Sequence, residues 1–186
     1  MLGAADGRPA LHKIAFAGVV FAFLIVEAVR AAKNERGQRA RGGIEPDGDV
    51  YRWMRVAYPA AFLAMFIEGA MLGAPSPRVA AAGLALFTVA KLLKWWAIVT
   101  LGPAWTFRVI VVPGLRLVAS GPYRILRHPN YVAVVGELVG VALMTGARFA
   151  GPVATVAFGL LMMKRVAVEN RALDAILRSP SKNLEI

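Results

Sequence analysis

The chain has 186 residues, 58% of them hydrophobic, and a mean hydropathy of +0.58, where a soluble domain is nearer about 45–50% apolar; this marks an integral membrane protein, with a length suited to one domain over residues 1–186. The absence of cysteine excludes disulfides and thiolate chemistry, and two histidines far apart, His12 and His128, argue against a metal site. A formal charge of +11 without any aromatic-interleaved basic groove reads as loop lysines and arginines beside anionic lipid, not as a nucleic-acid surface.

Five apolar runs approach the roughly 20 residues that cross a bilayer as helix, so the expected fold is an all-α membrane bundle. The first span, residues 14–32, is followed by the basic stretch "VRAAKNERGQRAR" and lacks a small-residue cleavage site. It therefore reads as an anchor and not as a signal peptide. A polar, glycine-rich connection, "ARGGIEPDGD" at residues 40–49, leads to the second span at 54–73; no function is legible in it. The third span, 79–99, ends at Gly102-Pro103. The fourth and fifth, 131–147 and 149–166, are joined so closely that they must form a helical hairpin. Lysine and arginine crowd the segments after spans one and three and the C-terminal tail, which places the C-terminus in the cytoplasm and the N-terminus outside.

Chemical texture concentrates in "TLGPAWTFRVIVVPGLRLVASGPYRILRHPNY", residues 100–131. Pro113-Gly114 and Gly121-Pro122 are turn signals, and "VIVV" ahead of the first and "LRLVA" between the two suit short extended strands. Pro129 fits the first turn of the fourth helix, with His128 near its N-cap. Unpaired N–H groups there favour an anionic or polar ligand. The plainer reading is a rigid connector whose Trp105, Tyr123, Tyr131 and arginines mark the headgroup region.

Inside the spans, Glu137 lies about 9 Å along its helix from Tyr131. Lys91 and Lys94 reach a matching depth, so a buried pair between Glu137 and one lysine is feasible. Buried ionisable groups in membranes are functional suspects, and an ion pair that orients two helices is the alternative. Glu68 is expected at the far interface. Gly136-x-x-x-Gly140 predicts close helix approach. Arg165 and Glu169, four apart, suit a surface ion pair.

"GPYRILRHPNY", residues 121–131, resembles the signature of the membrane methyltransferases that include the isoprenylcysteine carboxyl methyltransferases and phospholipid methyltransferases. The match falls on Gly121, Pro122, Tyr123, Arg127, His128, Pro129 and Tyr131, and extends upstream through "LGPAWTFRV" and "LVASGPY". Downstream, "KRVAVENRAL" corresponds to the family's arginine-rich face and paired glutamates, with Glu169 in the first position. Three residues depart from the pattern. Asn170 replaces the second glutamate, Ala133 stands where a glycine often follows the tyrosine, and Leu115 stands where the prenylcysteine enzymes carry a histidine.

The resemblance implies S-adenosylmethionine as cofactor, bound on the cytoplasmic side by Val118, Gly121, Pro122, Tyr123, Arg127, His128, Tyr131, Glu169 and Asn170. It implies a lipophilic acceptor from the membrane, small-molecule or prenylated, methylated on a carboxylate or hydroxyl with His128 and Glu137 as catalytic candidates. The stretch looks most like short bacterial members paired with type III polyketide synthases, whose acceptors are alkylated polyketide rings. A phospholipid amine is a further acceptor class, and a non-catalytic scaffold or transporter subunit is the rival from outside enzymology. No metal or nucleic acid enters any of these readings.

Overall fold

The computed structural model describes residues 8–113 and 118–178. Five α-helices carry the described residues: α1 (Arg8–Ala40), α2 (Tyr51–Met71), α3 (Pro77–Leu101), α4 (Pro129–Thr145) and α5 (Ala150–Arg178). Single 3-10 turns at Gly102–Ala104 and Gly121–Arg124 flank the connector between α3 and α4. The segments Lys13–Ala40, Pro77–Ala104 and Ala150–Ala172 are long and apolar enough to cross a membrane. α4 is apolar but has 17 residues, about 26 Å at 1.5 Å per residue. The protein is a helical membrane bundle, as its composition predicts.

Apolar side chains on the outer faces confirm that reading physically. Ile14, Val19, Ile25, Val26 and Val29 of α1 are exposed, while Phe16, Val20, Glu27, Ala31 and Gln38 are buried. Those buried residues fall four and seven apart, the spacing that keeps one helix face on a neighbour. α3 and α4 form the most extensive helix contact. A Cβ on Gly140 would lie 2.8 Å from the Phe87 nitrogen, and one on Gly136 would lie 2.8 Å from the Ala90 Cβ. The expected close approach at Gly136-x-x-x-Gly140 is therefore real.

The ends of the helices are closed by polar side chains reaching across the fold. Asn34 Nδ2 donates to the carbonyls of Gly102 and Trp105, and Gln38 Nε2 donates to those of Pro103 and Ala104. α1 thus ties down the turn that ends α3, where carbonyls lack helical partners. At the opposite end, Glu68 accepts from the backbone nitrogens of Phe149 at 2.9 Å and Ala150 at 2.6 Å. The carboxylate expected at an interface is a cap for α5 supplied by α2.

One local expectation is corrected. "VIVV" forms no strand: Val111 makes one antiparallel bridge with Ile44 of the α1–α2 loop, because that loop and not the connector supplies the partner. Residues 115–117 of the second expected strand, Leu115 among them, lie outside the described residues. Gly121-Pro122 opens a 3-10 turn, with Gly121 at φ +57°. In that conformation a Cβ would be strained, and it would also lie 2.6 Å from Thr100 Oγ1.

Candidate active site

Two polar clusters stand out against the apolar bundle. The deeper one is a quartet of ionisable residues. Lys91 Nζ lies 2.7 Å from Glu27 and 3.0 Å from Glu137, and Lys94 Nζ lies 2.7 Å from Glu27 and 3.3 Å from Glu137. Both glutamates are fully buried. The Tyr58 hydroxyl donates to Glu137, and the ring of Tyr58 lies 5.1 Å from Lys94 Nζ. Phe23 gives Lys91 a similar face at 4.9 Å. Two anions and two cations sum to zero, which is how charge is tolerated away from water. The expected pairing of Glu137 with one lysine is thus a four-membered ring joining α1, α3 and α4, with α2 attached through Tyr58.

The second cluster lies where α4 begins. His128 occupies the N-cap of α4 with Pro129 at its first turn, as expected, and makes no side-chain cap bond. Its ring lies 5.4 Å from that of Tyr131. The Tyr131 hydroxyl donates to Glu169 Oε2 at 2.9 Å and accepts from Arg165 Nε at 2.8 Å. Arg165, buried, reaches Asp49 Oδ1 at 3.3 Å. The i,i+4 pair expected between Arg165 and Glu169 is replaced by these partners, because Tyr131 inserts between them. Burial and the charge of Glu169 push the Tyr123 phenol above its ordinary value, so Tyr123 remains a neutral hydroxyl beside that carboxylate.

The other expected residues differ in burial. Pro122 is buried, Val118, Gly121 and Asn170 are half-buried, and Arg127 is exposed. Arg127 pairs with no acid among the described residues. Asn130 next to them holds its side-chain oxygen buried without a hydrogen-bond partner among the described residues. Glu137 does not join this cluster; its carboxylate belongs to the quartet.

From Tyr131 an apolar groove of about 590 Å³ runs between α4 and α5, lined by Val132, Val135, Val156, Leu160 and Met163 among others. Its walls are exposed apolar side chains, so it opens towards lipid.

Four residues of these clusters escape sequence reasoning. Glu27 carries a usable signal, a lone acid within the first span. Asp49, Tyr58 and Asn130 carry none.

The loop at 41–50 is stitched to the connector. Ile44 and Val111 exchange two backbone hydrogen bonds, Val109 N donates to Asp49 Oδ2, and Arg108 Nη1 donates to Glu45 at 2.7 Å. Burial opposes the charge on Glu45, but hydrogen bonds from Arg108 and Arg39 outweigh it and hold the carboxyl below its ordinary value. A depressed carboxylate stabilises above its unfolded pKa and ceases to as pH falls through the folded one. This stitch is therefore complete at neutral pH and weakens in acid.

The described residues thus form a helical membrane bundle with a tyrosine–arginine–glutamate cluster at one end of an apolar groove. The chain belongs to the isoprenylcysteine carboxyl methyltransferase (ICMT) family, whose sequence model matches residues 82–175. That range contains the quartet residues of α3 and α4, the whole connector and Glu169. The protein is accordingly a membrane methyltransferase by family. It is similar to uncharacterized protein YpbQ of Bacillus subtilis (strain 168), 27% identical over 160 residues that cover 84% of this chain and 95% of that protein. An uncharacterized protein of Haemophilus influenzae is 24% identical over 143 residues, 76% of this chain and 83% of its own. No solved structure matches.

Proposed function

We propose that the chain uses S-adenosylmethionine to methylate a carboxylate or hydroxyl of a lipophilic acceptor, with the cofactor held at the start of α4 and the acceptor entering along the α4–α5 groove. The observation that carries this is the Tyr131–Glu169 pair at the head of that groove. The residues fit the cofactor's chemistry. The orphaned Asn130 oxygen is an acceptor awaiting an amino donor, and a buried acceptor without a partner is costly. Glu169 suits the ammonium, and Arg127, exposed and paired with no acid among the described residues, suits a bidentate grip on the carboxylate. Tyr123 and Tyr131 present ring faces suited to a cation. Val118, Gly121, Pro122, His128 and Asn170 line the same end of the fold in this reading.

When bound, the cofactor supplies an electrophilic methyl group on a sulfonium that leaves readily. The chain's task is then alignment and exclusion of water. A carboxylate acceptor needs no base. A hydroxyl must lose its proton, and His128, whose ring lies against Tyr131, is the group we assign to receive it at a ring nitrogen. Glu137, committed to two lysines and Tyr58, serves here to hold α4 in register. Leu115 in the family's histidine position favours an alkylated polyketide ring over a prenylcysteine. Purified protein given S-adenosylmethionine with a labelled methyl group should label an alkylresorcinol or alkylpyrone. Labelling of a farnesylcysteine analogue alone would reverse that preference.

The charge asymmetry of the loops supports an outside N-terminus and a cytoplasmic C-terminus and cofactor site. A reporter enzyme fused after Ile186 should work only in the cytoplasm. Activity on the outer side would remove the cofactor's route of entry.

A further inference from the structure

We propose that Asp49 is a positioning residue of the methyltransferase site, through which the α1–α2 loop sets Arg165, Tyr131 and Glu169. This rests on the reading that Glu169 holds the cofactor. The geometry is a continuous chain of contacts. Asp49 Oδ2 accepts from Val109 N at 3.0 Å, which fixes the carboxylate to the connector. Asp49 Oδ1 accepts from Tyr51 N at 3.0 Å and faces Arg165 Nη1 at 3.3 Å. Arg165 Nε donates to the Tyr131 hydroxyl, which donates in turn to Glu169.

Arg165 and Asp49 have side chains only 8% and 4% exposed. A buried guanidinium must keep a counter-charge, and Asp49 is the acid that pairs with it among the described residues. The next candidate is Glu169, four residues on along α5, the spacing at which side chains on one helix meet. Loss of the charge on Asp49 therefore does more than loosen a loop. It releases Arg165 to swing onto Glu169, displacing the Tyr131 hydroxyl and neutralising the carboxylate that the cofactor's ammonium needs. A purely structural Asp49 would cap α2 and stitch the loop without touching the behaviour of Glu169.

Asp49→Asn keeps size and hydrogen-bonding capacity and removes the charge, so it separates the two roles. The probe is S-adenosylhomocysteine, titrated calorimetrically into the full chain in detergent. We expect Asp49→Asn to weaken binding roughly ten-fold, as loss of one charge-assisted hydrogen bond would. In the Glu169→Gln background the same change should add nothing, since the carboxylate to be neutralised is gone. In the Arg165→Gln background it should also add nothing, since no guanidinium is released; this arm decides the case if Asp49→Asn alone folds poorly. Wild-type binding by a folded Asp49→Asn, or full losses that multiply with those of Glu169→Gln and Arg165→Gln, would overturn the inference. Wild-type binding by Glu169→Gln itself would remove the cofactor reading, and this inference with it.

Discussion

Glu27→Gln should destabilise the bundle severely, lowering its melting temperature in detergent more than any surface substitution. The quartet holds two carboxylates and two ammonium groups in mutual contact, with no net charge. Neutralising Glu27 leaves one positive charge uncompensated among apolar side chains. Breaking a buried pair in this way costs about 3–5 kcal/mol, a large part of the roughly 5–15 kcal/mol that holds a domain folded. Glu27→Gln combined with Lys91→Gln restores neutrality and should recover much of the loss. Glu137→Gln should behave like Glu27→Gln, because it leaves the same excess charge. If Glu27→Gln and Glu137→Gln melt with the wild type, the quartet does not stabilise the fold. Normal melting and cofactor affinity with lost turnover in Glu137→Gln would instead give Glu137 a direct part in catalysis.

The second large effect falls on the cofactor. Glu169→Gln and Arg127→Ala should each weaken binding of S-adenosylhomocysteine by roughly 10- to 150-fold, the loss expected when a hydrogen bond to a charged group worth about 1.5–3 kcal/mol is removed. Neither change should unfold the protein. Arg127 is exposed, and Glu169, half-buried, receives one hydroxyl that a glutamine oxygen can also accept. The two differ in consequence. Without Glu169 the ammonium of the ligand loses its acceptor, whereas without Arg127 its carboxylate loses a two-pronged donor. A ligand lacking the amino-acid carboxylate, such as methylthioadenosine, should therefore feel Arg127→Ala little. Unchanged S-adenosylhomocysteine binding in both folded variants would place the cofactor elsewhere.

What the sequence discloses and what it withholds divide along physical lines. Helix ends are legible where backbone chemistry is local: Gly102-Pro103 stops α3, and Pro129 with His128 starts α4. The depth of Glu137 relative to Lys91 and Lys94 is legible too, since helical rise fixes it. The fourth member, Glu27, shows only as a lone acid in the first span; which lysines it meets is not legible, because Lys91 lies 64 residues away. Local rules fail where tertiary partners outbid them. An exposed i,i+4 ion pair is worth about 0.3–0.5 kcal/mol, so Arg165 turns from Glu169 to the buried Asp49 and Tyr131. For the same reason "VIVV" becomes a single bridge to Ile44: the partner lies in a loop whose glycine-rich sequence announces nothing. The candidate site is legible as a motif, Gly121 to Tyr131 with Glu169. Its link through Arg165 to Asp49 is a property of the folded chain alone.

The central claim, that the start of α4 and the Glu169 face of α5 hold S-adenosylmethionine, is tested most directly by isothermal titration of the purified, detergent-solubilised chain with S-adenosylhomocysteine. A saturable one-to-one isotherm that is weakened by Glu169→Gln is the predicted result. A flat titration of folded wild-type protein would contradict it and return the chain to the reading of a non-catalytic membrane scaffold.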